Sequence, residues 1–185
     1  MTIFYFTATG NSLAVAKRIG RNLISIPQVI DSLETHYKDD IIGIIFPVYG
    51  LAPPKMVQKF LDKVKLEAEY IFVVGTCGYL PDPCMYNLQK RAKKNGYRFD
   101  YVNTLRMVDN FLYNFEIGKE IEKLPEKKVE EMIAKIKEDI HNLKPKQATA
   151  ALGWRAFFVI LDTVSKTDKR ALRYTVNDQC TKCGT

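Results

Sequence analysis

Thr7-Ala8-Thr9-Gly10-Asn11-Ser12 is the segment whose residue types most directly suggest chemistry. Three hydroxyls, an amide and a glycine lie between an apolar run and an amphipathic one. A loop in that position presents the free backbone N–H groups of a helix N-terminus, which attract an anion. Gly10 permits a tight turn, and the hydroxyls of Thr7, Thr9 and Ser12 add donors for phosphate oxygens. The loop lacks the Gly-Lys-Ser/Thr of nucleotide hydrolases, so it suits a phosphate that is held rather than transferred. The competing reading is a Ser12 N-cap preceded by a polar turn. At the other end of the chain, Cys180 and Cys183 stand in a C-x-x-C pair. Their spacing fits the first two thiolates of a four-iron cluster, and fits equally a zinc knuckle or a redox pair.

The elements that must position these residues follow from periodicity. Thr2–Phe6 reads as a strand and Ser12–Leu23 as a helix, with Leu13, Ala16, Ile19 and Leu23 at helical spacing. Gln28–Ile30 reads as a weak second strand, and Asp40–Phe46 as a strong one buried on both faces. Pro53 and Pro54 open a helix to about Lys65. A strand at Tyr70–Gly75, a helix at Met85–Asn95 closed by Gly96, and a fifth strand at Arg98–Leu105 follow. Glu126–Asn142 is a long amphipathic helix. Alternation of this kind predicts an α/β protein, a flavodoxin-like doubly wound five-stranded parallel sheet with helices on both faces. Such sheets place their ligand at the carboxyl ends of the strands, so the loops after strands one, three and four form the candidate site.

The second of these loops is Pro47-Val48-Tyr49-Gly50 and the third is Thr76-Cys77-Gly78-Tyr79. Tyr49 offers a plane for stacking, Gly50 a peptide free to reorient, and Gly78 a close backbone approach. The alternative for Tyr49 is a buried core tyrosine. Cys77 and Cys84 read as small space-filling residues, since nothing basic in sequence would activate either thiol.

The segment Ile3–Leu13 resembles the phosphate loop of flavodoxins, whose pattern is Ser/Thr-x-Thr-Gly-x-Thr/Ser. It is especially similar to that of EFR1-family ferredoxins, in which a flavodoxin-like domain precedes a ferredoxin-like module with two four-iron clusters. The resemblance implies noncovalent flavin mononucleotide (FMN) used in one- and two-electron transfer. It also implies that Tyr49 and its neighbours cover one face of the isoalloxazine, that Thr76–Tyr79 bond its pyrimidine end through the backbone, and that Tyr79 is a second candidate for a ring face. Met107-Val108-Asp109-Asn110-Phe111 is similar to a further stretch of the family, with Asp109 and Asn110 read as turn residues rather than site residues. The domain expected from this is 1–145. Residues 146–185 are then a tail leading into a truncated 4Fe-4S ferredoxin-like module, with Cys180 and Cys183 as metal ligands and the remaining ligands past Thr185. The electron partner is the protein's own ferredoxin module or a separate redox protein.

Composition removes other classes. The +7 formal charge is spread through mixed-sign helical stretches such as Glu120–Lys137, which read as solvated faces rather than a nucleic-acid surface. Flavodoxins are usually acidic, and a basic chain fits electrons moving within one polypeptide. His36 and His141 lie in polar stretches, so no hydrolytic constellation forms. No signal peptide or membrane-length apolar run is present, and four cysteines without an export signal fit a cytoplasmic protein. Leu152–Val164 is apolar and aromatic and Lys166–Arg173 basic, a tail that either packs on the flavin domain or touches a membrane surface. The alternative functions are an FMN-dependent reductase of a quinone or other small acceptor, and a binding domain that has lost the flavin.

Overall fold

Ile41-Ile-Gly-Ile-Ile-Phe and Tyr70-Ile-Phe-Val-Val-Gly have no polar face to offer solvent, so each must lie in the middle of a covered sheet. The computed structural model of the chain describes residues 1–50, 52–78, 84–109 and 116–149, and both runs are central strands in it. In chain order the elements are β1 (Thr2–Tyr5), α1 (Asn11–Ile19), β2 (Asn22–Ser25), α2 (Ile26–Asp31), β3 (His36–Lys38), β4 (Ile41–Pro47) and α3 (Lys55–Lys63). There follow β5 (Lys65–Glu67), β6 (Tyr70–Cys77), α4 (Cys84–Lys94), β7 (Tyr101–Arg106), α5 (Ile117–Glu122), α6 (Leu124–Lys127) and α7 (Val129–His141). The main sheet has five strands in the order β2-β1-β4-β6-β7, all parallel. This is the flavodoxin-like doubly wound order, with its switch point between β1 and β4.

Burial explains the layers. On one face Phe4, Ile42, Ile44, Phe46 and Val73 pack against Val29 of α2, Val57 and Phe60 of α3 and Leu88 of α4. On the other, Ile3, Ile45, Phe72 and Val74 meet Val15 and Ile19 of α1 and Ile133, Ile136 and Ile140 of α7. A polar chain closes the second layer: Asn103 Nδ2 donates to the Tyr101 hydroxyl (2.7 Å), which donates to Asp139 Oδ2 (3.2 Å). Lys144 Nζ donates to Asp139 Oδ1 (3.0 Å) and Lys146 Nζ to Asn103 Oδ1 (2.7 Å). Lys146 also bridges to Tyr101 through the backbone, so the segment after α7 is tied to the edge of the sheet. The compact unit runs from Met1 to Thr149. Among the described residues no helix is long and apolar enough to cross a membrane.

Three elements differ from the sequence reading. The second strand is Asn22–Ser25, and Gln28–Ile30 lies in α2. Gly20 follows the last turn of α1 in an extended conformation, so Leu23 continues the apolar spacing from inside β2. Pro27 is tolerated in the first turn of α2, where no N–H is needed. The other end of α2 is closed from far away: Lys63 Nζ donates to the carbonyls of Val29, Ile30 and Ser32 at 3.2, 2.6 and 2.6 Å. A small parallel sheet of β3 and β5 was not anticipated, and the expected long helix from Glu126 is broken at Lys128, whose φ is 46°.

Close packing between β4 and β6 sets one test of this core. Gly43 pairs with Phe72, and a Cβ at Gly43 would run into the Phe72 ring. Gly43→Ala should therefore destabilise the fold by about 1–3 kcal/mol in urea unfolding, as overpacking does. Adding Phe72→Leu should recover part of that loss. An unchanged urea midpoint for the single variant would mean the ring is not held against Gly43.

Candidate functional site

β1 delivers Thr7 to the carboxyl edge of the sheet, and the chain turns into α1 through Gly10 at φ 95°. That left-handed conformation is the reason a glycine is needed, and a Cβ there would meet nothing within 4 Å. Gly10 N–H donates to Thr7 Oγ1 (3.1 Å), folding the loop on itself, while Ala8 and Thr9 stay exposed. The N-cap of α1 is Gly10, with no side-chain cap and no acidic residue in the first turn. Ser12 is thus not the cap. It lies inside the helix, fully buried, with its hydroxyl 2.8 Å from that of Thr76. The partial positive charge of that helix N-terminus favours an anion.

The same contacts draw the three loops together. Thr76 lies near the end of β6, and its carbonyl accepts the N–H of Val48 from the second loop (2.8 Å). Pro47 closes β4 in register with Thr76. Tyr49 and Ala52 exchange backbone hydrogen bonds (2.9 and 3.0 Å) around Gly50 at φ 53°, making a tight projecting turn. Tyr49 is 45% exposed, and its ring meets Phe6 edge-on with centroids 6.5 Å apart. It is therefore not a core tyrosine, and partial burial raises its hydroxyl pKa. Asn11 Nδ2 donates to Val108 O (3.1 Å), bringing in the chain after β7.

Loop three is gripped by residues that sequence reading set aside. Asp109 packs its carboxyl against Gly78, where a Cβ would collide with it. Lys127 Nζ donates to Met107 O (2.7 Å), Gly78 O (3.3 Å) and Glu120 Oε2 (2.9 Å). Glu120 Oε1 accepts from Lys123 (2.7 Å), and its Oε2 lies 3.4 Å from the donating N–H of Asp109. The mixed-charge pattern around Glu120 predicts a solvated face, yet its side chain is only 6% exposed. No local signal marks it. A single continuous helix would line up positions 120, 123 and 127, but the chain breaks between α5 and α6.

Cys77 and Cys84 are buried, as expected of space-filling residues, and Cys77 Sγ donates to Leu105 O (3.8 Å). Tyr79, Asn110, the 152–164 and 166–173 stretches, and Cys180 and Cys183 lie outside the described residues. A hollow of about 690 Å³, lined by residues including Leu61, Asp62 and Tyr97, lies toward the opposite, amino edge. Its carboxylate, Asp62, already accepts hydrogen bonds from Arg91 and Asn95.

Strand order and loop placement define a doubly wound α/β protein of the flavodoxin-like class. No protein-family model matches the sequence, and none of the curated proteins matches it. Among solved structures, two-electron reduced flavodoxin of Megasphaera elsdenii aligns with 65% of this chain and 93% of its own, at TM-score 0.43 and 18% identity. FMN-bound flavodoxin of Fusobacterium nucleatum aligns with 75% of this chain and 96% of its own, at TM-score 0.40 and 12% identity. A Bacteroides uniformis protein assigned as a flavoprotein aligns with 65% and 94%, at TM-score 0.48 and 14% identity. The fold assignment itself comes from the strand order.

The clamp under Gly78 has a pH signature. Hydrogen bonds from Lys123, then Lys127, lower the Glu120 pKa from 4.5 to about 2. A carboxylate whose folded pKa lies below its unfolded value stabilises the fold above the unfolded pKa. That contribution is lost as pH falls from about 4.5 towards about 2. Glu120→Gln should consequently be less stable than the parent at neutral pH, with the gap closing across that window. Urea midpoints measured at several pH values check this; a gap independent of pH would show that the carboxylate's charge is not what matters.

Proposed function

We propose that the chain binds FMN at the carboxyl edge of its sheet and serves as an electron-transfer flavoprotein. In this reading the flavin exchanges electrons with a 4Fe-4S ferredoxin-like module of the same polypeptide, as in the EFR1-family proteins it resembles. The observation that carries the flavin part is the α1 N-terminus: uncapped, free of acidic residues in its first turn, and opened by a left-handed Gly10 beside the switch point. A ligand with one terminal phosphate fits that end. Thr7, Ala8, Thr9, Gly10, Asn11 and Ser12 would hold the phosphate through backbone amides and the Thr7 and Thr9 hydroxyls, while the Ser12 hydroxyl, buried against Thr76, fixes the start of the helix. Tyr49 would cover a ring face from its projecting turn, beside Pro47, Val48 and Gly50. Thr76, Cys77 and Gly78 would present backbone groups to the polar edge of the ring, with Tyr79 following. FMN, when bound, supplies a ring that takes up one or two electrons. The chain's own part is to hold that ring, orient it and shield it from water.

The iron–sulfur part rests on Cys180 and Cys183, in the spacing of the first two ligands of a bacterial four-iron run. The +7 charge supports an electron route within one polypeptide, because a basic flavodoxin-like domain is poorly matched to a basic docking face.

The flavin reading predicts that FMN binds far more tightly than riboflavin in calorimetry. Thr9→Ala should weaken FMN by roughly 1.5–3 kcal/mol, the worth of a hydrogen bond to a charged group, and leave riboflavin unaffected. Equal affinity for the two flavins would remove the phosphate argument.

The cluster reading predicts that residues 1–185 form no four-iron cluster on anaerobic reconstitution with iron and sulfide. Cys180 and Cys183 are two thiolates of the four required, and Cys77 and Cys84 are buried in the sheet unit. Appearance of a broad iron–sulfur absorbance in this chain that survives replacement of Cys180 and Cys183 would overturn it.

A further inference from the structure

A buried charge pair stands directly behind the loop assigned to the flavin ring. Lys127 is 12% exposed and Glu120 6%, and the ammonium reaches the Gly78 carbonyl while the carboxylate neutralises it. The Asp109 carboxyl also packs against Gly78, and Lys123, half-exposed, completes a group of two carboxylates and two ammoniums. Remove the charge of Glu120 and Lys127 keeps one positive charge against two backbone carbonyls. Remove Lys127 and the balance tips the other way.

We propose that Glu120 and Lys127 are positioning residues for the flavin ring, and that Glu120 holds the flavin's reduction potential down by cancelling the charge of Lys127 beside Gly78. The proposal rests on the FMN reading. Its physics is Coulombic: an electron that enters the ring without an accompanying proton adds one negative charge there. A nearby uncompensated ammonium, shielded from water, favours that charge far more than a solvated one would. The pair as built contributes no net charge, so the ring gains no such help. The grip on Gly78 is a separate, mechanical effect that fixes the path of loop three.

The test is a reductive titration of the FMN-loaded chain with dithionite against dyes of known potential. It compares the parent with Glu120→Gln, Lys127→Met and the double variant. Glu120→Gln should shift the midpoint to more positive values, and Lys127→Met to more negative ones. The double variant, with the parent's local charge, should return close to the parent. In affinities, Glu120→Gln should favour reduced over oxidised FMN about tenfold more than the parent does. A structural role alone would move both single variants in the same direction and the double variant further. That pattern, or no shift in any variant, would overturn the proposal. If Glu120→Gln fails to fold, Lys127→Met must still titrate below the double variant. Calorimetry on the parent separates the two claims: FMN binding without the charge pattern sinks the inference alone, and absence of FMN binding sinks the flavin reading and the inference with it.

Discussion

Ser12 and Thr76 meet by their hydroxyls at 2.8 Å, out of solvent, and the geometry of the ligand edge depends on that contact. It joins the first helix to the end of the central strand β6. Thr76 has a second task, because its carbonyl takes the N–H of Val48 and so sets where the second loop leaves β4. Two buried hydroxyls, one from α1 and one from β6, satisfy one another, and each would carry a desolvation cost if its partner were lost. The three loops are thereby referenced to a single point rather than hung independently from three strands.

The two helix ends near the sheet are built differently. The first turn of α1 has neither a side-chain cap nor a carboxylate, whereas the C-terminus of α2 is closed by three hydrogen bonds from Lys63. The difference lies in location. The α1 start lies at the carboxyl edge beside the switch point, where such sheets place their ligands. The exposed Tyr49 ring and the turn at Gly50 lie at the same carboxyl edge.

Buried charge is treated differently at the two edges. Toward the amino edge, Asp139 is held by Lys144 and the Tyr101 hydroxyl and ties the segment after α7 to the sheet. At the carboxyl edge, Glu120 and Lys127 hold Gly78, the residue after the last paired position of β6, Cys77. Both are paired carboxylates with lowered pKa, so acid loosens both edges together.

By itself the sequence determined the central layer and the first loop. β4 and β6 are legible because burial on both faces leaves no polar position, and Thr7–Ser12 because a strand, a glycine turn and a helix start are local features. The periphery was not legible. β2 is a half-exposed edge strand whose Leu23 happens to continue the helical spacing of α1, and α2 owes its end to a lysine more than thirty residues away. In the site, the partner of Ser12 stands 64 positions on, and that of Asn11 stands 97. Glu120 and Lys127 look like an exposed mixed-charge surface in one dimension. Only the folded chain brings them together on Gly78, at the end of β6. Local backbone chemistry can be read from neighbours in sequence, but which polar groups meet in the dry interior is decided by chain closure over long separations.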